Sequence, residues 1–221
     1  MSPQPQLLYF GRILAGQCHE LVNALNIAHE LCGLHEDTLP RATQGQTGAV
    51  DKLGSLARRI DTQVARCTAI VRHLGRFAHA VDQPMEVCDP REIIQRALFF
   101  ATRQARLRNT ELRAVLPEGD LPSVYCSPFC LQQAIHAGID LLLQGIAENR
   151  QITARLTPDP AGVLVNLEST ESLPCSGEAA ETLAAIAALA HAAGGELRQL
   201  PQGGSLAFFI PDHAPGGSHV D

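Results

Sequence analysis

The sequence predicts an α+β chain, with an antiparallel helical hairpin first and a mixed α/β layer after it. Three observations carry this. Two long stretches in the first eighty residues repeat apolar side chains in steps of three and four. A breaker-rich segment separates them. From residue 85 onward, short alternating runs interleave with capped helical segments, the pattern of a sheet covered by helices. The chain has 221 residues, 45% hydrophobic and 18% charged, an ordinary globular balance, and only 4% aromatic, so aliphatic side chains must build the core.

In the first stretch, Leu14, Cys18, Leu21, Leu25, Ala28 and Cys32 form a heptad seam. In the second, Val50, Leu53, Ala57, Ile60, Val64, Cys67, Val71, Leu74 and Ala78 continue one without a break. Between them, residues 37–48 hold Pro40, Gly45 and Gly48 and are expected to form a loop. A hairpin with such seams leaves apolar surface uncovered. A second copy would close a four-helix bundle, so a homodimer is expected; packing on the rest of its own chain is the alternative.

The expected boundaries are 1–80 for the hairpin, 81–212 for the α/β domain and 213–221 for a flexible tail. Met85–Cys88 suits a short strand. Asp89-Pro90-Arg91-Glu92 is a helix start, with Asp as N-cap and Pro in the first turn. That helix should run to about Arg108 with Ile94, Ala97, Leu98 and Ala101 inward. Glu111–Leu116 and Val124–Cys126 suit strands, and Ser127-Pro128 opens a helix carrying Leu131, Ala134, Ile135, Ile139, Leu142 and Ile146. Gln151–Thr157 and Val163–Glu168 alternate around a Pro/Gly turn as a hairpin. Glu178–Ala193 is an Ala-rich helix stopped by Gly194-Gly195, and Glu196–Leu200 with Ser205–Ile210 makes a last hairpin.

Net charge is -6, which disfavours a nucleic-acid partner. No apolar run is long enough to span a bilayer, and the N-terminus lacks the order of a signal peptide. Seven scattered cysteines suit reduced thiols, and a cytoplasmic protein with no membrane partner is expected. Cys126 and Cys130 are closely spaced, but nothing completes a four-ligand metal set. Neither a metal nor a cofactor is expected.

The most informative tract is Cys18-His19-Glu20-Leu21-Val22-Asn23. At 100° per residue, His19 points well away from the seam and Asn23 almost opposite it. They are four residues apart, so they stack on one wet face, with Glu20 on a flank. An exposed imidazole beside a carboxylate can act as a nucleophile, and an amide one turn on can position a water or a phosphoryl oxygen. Spacing alone equally suits three ordinary polar residues on a solvated helix. His29 and His35, each followed by Glu, lie nearer the seam and suit boundary contacts.

The tract Gly11 to Asn26 resembles the phosphoacceptor helix of bacterial sensor histidine kinases, whose pattern is a His, an acidic residue, and an Asn or Thr four residues after the His. The run Ile70-Val-Arg-His-Leu-Gly-Arg-Phe-Ala78 resembles the partner helix of their dimerisation domain. The segments Asp89–Leu98, Leu121–Gln133, Ala193–Leu200 and Gly203–Pro211 resemble, in order, the opening and end of their ATP-binding domain. The resemblance implies a dimeric four-helix bundle followed by a histidine-kinase-type ATPase α/β sandwich. It also implies His19 as phosphoacceptor, Glu20 steering the ring and Asn23 assisting the reverse or hydrolytic direction.

Where those kinases bind ATP, this sequence departs from them. The helix from Leu131 to Ala147 has no Asn, and residues 167–177 hold one Gly and no Asp where the family has an Asp-x-Gly-x-Gly loop. Too few residues follow for a lid. Phosphates need close backbone N–H groups, which glycines allow. The sandwich is therefore expected to be degenerate and not to bind ATP. The whole resembles the dimeric histidine phosphotransferases, with response-regulator receiver domains as partners. Two alternatives stay open: a phosphatase of a phosphorylated receiver, and a non-catalytic pseudokinase scaffold.

Overall fold

The computed structural model describes residues 3–82, 85–145, 150–169, 177–199 and 204–212. It divides into two compact units, Met1–Ala78 and His79–Asp221. The expected tail at 213–221, Ile146, and the Gly-poor stretch after Ser169 as far as residue 176 lie outside the described residues.

The first unit is built from α1 (Pro3–Thr43) and α2 (Ala49–Asp82). Both outrun the sequence expectation, and α1 does so through Pro40. A proline this close to the end removes one main-chain bond from the last turns. The Thr38 hydroxyl donates to the Leu34 carbonyl at 2.7 Å, and the Thr43 hydroxyl to the Pro40 carbonyl at 2.8 Å. The helix then stops in a Schellman arrangement, with Gln46 N–H on Arg41 O and Gly45 N–H on Ala42 O. Gly45 takes the left-handed φ of 74° that this cap requires. The connection is five residues, 44–48, instead of twelve.

Side-chain pairings set the helices antiparallel. Tyr9 and Phe10 both meet the ring of Phe77, at 5.8 and 5.3 Å between centroids. The buried residues of α2 are Ala49, Leu56, Ile70, Phe77 and Ala80, the first four spaced by multiples of seven. Its counterpart on α1 is Tyr9, Ile13, Gln17, Ala24, Leu31 and Thr38. This is not the seam read from the sequence. Leu14, Cys18, Leu25 and Cys32 are exposed, as are Val50, Val64 and Val71. Leu53, Ile60, Cys67 and Leu74 are half-buried. Each helix therefore carries two adjacent apolar stripes, and the expected one is the stripe the hairpin leaves uncovered.

The second unit has β1 (Glu86–Cys88), α3 (Pro90–Leu107), β2 (Glu111–Val115), β3 (Val124–Cys126), α4 (Pro128–Gly145), β4 (Gln151–Asp159), β5 (Gly162–Ser169), α5 (Gly177–Ala192), β6 (Glu196–Gln199) and β7 (Ser205–Pro211). β1 and β3 pair as an antiparallel ribbon. The others form a five-stranded sheet in the order β2-β4-β5-β7-β6, parallel between β2 and β4 and antiparallel elsewhere. Asp89 caps α3 by accepting from the Arg91 N–H, with Pro90 in the first turn. Ser127 caps α4, its hydroxyl accepting from Cys130 N–H at 3.4 Å.

One sheet face supplies the core: Ile152, Ala154 and Leu156 of β4, Val163, Val165 and Leu167 of β5, and Leu206, Phe208 and Ile210 of β7. The opposite face carries polar pairs, among them Arg155 with Glu168 at 3.3 Å. This is the alternation expected of a largely antiparallel sheet wetted on one side. α4 lies against the apolar face with nearly every side chain buried. Gly138 lets it approach, since a Cβ there would sit 2.9 Å from Leu167 Cδ1.

The β4–β5 hairpin closes tighter than expected, with only Pro160 and Ala161 between the strands. Here a Cβ on Gly162 would stand 2.1 Å from the Ile210 carbonyl oxygen. That contact is backbone and cannot swing aside. Gly162→Ala is expected to lower unfolding free energy by about 2–3 kcal/mol, as overpacking does, in urea denaturation of the full chain.

Candidate functional site

Packing of the α1 stripe orients the tract around His19. Gln17 and Ala24 face α2 and are buried. Neighbours on a helix differ by 100°, so Cys18, His19, Val22 and Asn23 must emerge on the open side, and all four are exposed. His19 and Asn23 stack one turn apart, as the spacing requires. The imidazole is reachable by a macromolecular partner along the side of the helix.

Glu20 behaves differently. It lies on the packed side, half-buried, and its carboxylate accepts from the guanidinium of Arg66 on α2. This ion pair keeps the same register as the aromatic one. From Tyr9 to Glu20 is eleven residues along α1, and from Phe77 back to Arg66 is eleven along α2. Eleven residues make three helical turns, so both pairings fall on one line between the helices. The carboxylate next to His19 is thus anchored to the second helix and partly neutralised there. Arg66 had no place in the sequence reading. Its signal becomes visible only once the hairpin register is known, because nothing in α2 alone marks it.

Farther along the open side, Cys32 of α1 with Ala57, Ile60 and Val64 of α2 forms the apolar floor of a groove of about 410 Å³. His35, Glu36 and Asp61 line it as polar members. Most of the floor belongs to the uncovered apolar stripes. Val22 and Leu25, beside the His19 face, are also more than half exposed.

In the second unit, α4 carries Gln132, Gln133 and His136 buried among its apolar residues, with His136 Nδ1 3.5 Å from Asp140 Oδ2. Leu141, Leu142 and Leu143 are buried as well. Among the described residues, no group of three or more His, Cys, Asp or Glu side chains is arranged to hold a metal ion. Among them too, no helix is long and apolar enough to cross a membrane.

No protein-family model matches the chain, and no curated protein matches it. The similar solved structures are sensor histidine kinase cores. The histidine kinase AdeS of Acinetobacter baumannii is 15% identical over 81% of this chain and 93% of its own, with a TM-score of 0.47. The cytoplasmic segment of histidine kinase QseC is 15% identical over 68% of this chain and 95% of its own, at 0.48. Histidine kinase ThkA, solved in complex with the response regulator protein TrrA, is 14% identical over 96% of this chain and 64% of its own, at 0.48.

The Glu20–Arg66 pair is partly solvated, with side chains 20% and 30% exposed. Water screens such a pair, so its contribution to stability is small. Arg66→Ala is expected to cost less than about 1 kcal/mol in urea denaturation, leaving the hairpin folded for tests of what the pair does at the site.

Proposed function

We propose that the chain is a histidine phosphotransferase of two-component phosphorelays, passing a phosphoryl group between receiver domains through His19 without ATP. The observation that carries this is the side-on exposure of His19 on the long hairpin helix, with Glu20 anchored to Arg66 and Asn23 one turn on. The resemblance of the surrounding tract to a phosphoacceptor helix agrees with it.

In this reading a receiver docks along the open side of the hairpin and presents its aspartyl phosphate. A ring nitrogen of neutral His19 attacks phosphorus in line. The P–N bond forms as the P–O bond to the aspartyl carboxylate breaks, and that carboxylate is the leaving group. The reverse step hands the group to a second receiver. A phosphoryl dianion approaching His19 meets Glu20, whose charge is offset by Arg66, so repulsion near the ring is reduced. Magnesium belongs to the receiver here. The proposed relay is cytoplasmic.

The second unit is read as a degenerate ATPase-like support. The sequence of α4 offers leucines and no Asn, and residues 167–177 offer one Gly. Nucleotide titration is expected to give no saturable binding.

Label from a phosphorylated receiver is expected to arrive on the wild-type chain as an acid-labile phosphohistidine and to be absent with His19→Ala. Transfer that survives His19→Ala would overturn the assignment. Asn23, exposed beside His19, favours one second reading, a receiver phosphatase. Its mark is label lost from the receiver without arrival on the chain, retained in His19→Ala and abolished in Asn23→Ala.

We also propose that two chains pair through the uncovered stripes as a four-helix bundle, which buries Leu14, Leu25, Val64 and Val71. Sedimentation equilibrium is expected to give twice the chain mass of 23.7 kDa. Val64→Glu places a charge in that seam and is expected to shift the protein to monomer with its helical circular dichroism retained.

A further inference from the structure

The short ribbon of β1 and β3 holds two thiols in contact. Its register sets Cys88 opposite Val124 and Glu86 opposite Cys126, so both cysteines lie on one face along a diagonal. Their sulfurs are 3.2 Å apart. A disulfide has its sulfurs about 2.05 Å apart, so closure needs the two to approach by about 1.1 Å in total. Exposure divides their roles, since Cys88 is partly open to solvent and Cys126 is fully buried.

We propose that Cys88 and Cys126 form a peroxide-responsive pair, with Cys88 as the attacking thiolate and Cys126 as the resolving thiol. This stands independently of the phosphotransfer reading. The S–H of Cys126, donated to Cys88, holds the Cys88 thiol below the ordinary thiol range, with help from the Arg96 guanidinium and against burial and the charges of Glu86 and Asp89. The same donation, with burial, pushes the Cys126 thiol up. Cys126 therefore keeps its proton while Cys88 reacts.

The steps balance. The Cys88 thiolate attacks one oxygen of hydrogen peroxide, an S–O bond forms, the O–O bond breaks and hydroxide leaves. Sulfur is oxidised to the sulfenic acid and the peroxide is reduced. With Cys88 now neutral, the neighbouring thiolate that opposed ionisation of Cys126 is gone. Hydroxide takes the Cys126 proton, and Cys126 attacks the sulfenyl sulfur. The S–S bond forms, the S–O bond breaks and hydroxide leaves, carrying the charge that Cys88 began with. The bridge joins the strand before α3 to the strand before α4, closing a span of 38 residues. A metal site is a poorer account of these thiols. Cys130 is near on α4, but among the described residues no three such groups converge.

The test uses the full-length chain, reduced and then treated with hydrogen peroxide, denatured in N-ethylmaleimide and digested without reduction. Mass spectrometry is expected to find the Cys88 and Cys126 peptides joined, two hydrogens lighter than the dithiol and separated by dithiothreitol. The oxidised chain is expected to melt several degrees higher than the reduced one, a rise absent in Cys88→Ser. In that variant Cys126 is expected to remain a thiol under peroxide, a measurement that does not depend on substituting the buried Cys126. Three results would each overturn the proposal: Cys88 over-oxidised to the sulfinic acid with Cys126 alkylated, Cys126 bridged to Cys130, or Cys88 unchanged while Cys18, Cys32 or Cys67 react.

Discussion

The heptad packing between α1 and α2 is the constraint on which the rest of the first unit depends. On an α-helix, placing one stripe places every other residue, because each follows its neighbour by 100°. Once Gln17, Ala24 and Leu31 face Leu56, Ile70 and Phe77, no freedom remains for the chemistry-bearing residues. His19 and Asn23 must point outward, and Glu20 must sit where α2 can reach it. The aromatic cluster of Tyr9, Phe10 and Phe77 then fixes the axial register. A slip of one heptad would take Arg66 away from Glu20 as well, although that partly solvated pair adds little to the register beside the aromatic packing.

The second unit rests on a different device. A sheet with one apolar face must be covered, and α4 does this at close range because Gly138 presents no side chain to Leu167, Leu206 and Phe208. Glycine at 162 plays the matching part in the strands, where the start of β5 pairs beside Pro211 at the end of β7. At Gly138 the close neighbours are side-chain ends of the sheet and at Gly162 they are main chain, so the second site tolerates a side chain less than the first. The paired thiols of β1 and β3 lie outside that sheet, in a two-stranded ribbon whose β3 side is buried at Val124 and Cys126. A covalent link there would act mainly on the unfolded chain, by closing the long span between the two strands.

Much of the α/β unit was legible from residue patterns alone. The Asp89-Pro90 start of α3, the β3 strand at Val124–Cys126, the Ser127 cap and the Gly194 stop of α5 all appear where local chemistry placed them. Such signals are local: a cap or a left-handed glycine needs only its immediate neighbours. The loop between the long helices was overestimated because Pro40 reads as a breaker. Near a helix end, the one bond it removes, to the Glu36 carbonyl, is cheap.

The amino-acid sequence by itself determined that two long amphipathic helices precede a capped α/β layer, and that His19 and Asn23 share an exposed face. Those properties follow from helical period, which is intrinsic to the chain. Only the tertiary structure decided which of two neighbouring apolar stripes closes the hairpin. The two stripes run one residue apart on each helix, as at Ala24 and Leu25 or Ile70 and Val71, and periodicity reports that a stripe exists, not what covers it. The same holds for Glu20 with Arg66 and for Cys88 with Cys126. Each pair lies more than thirty residues apart in sequence, and each is brought together by register, a property of two elements at once.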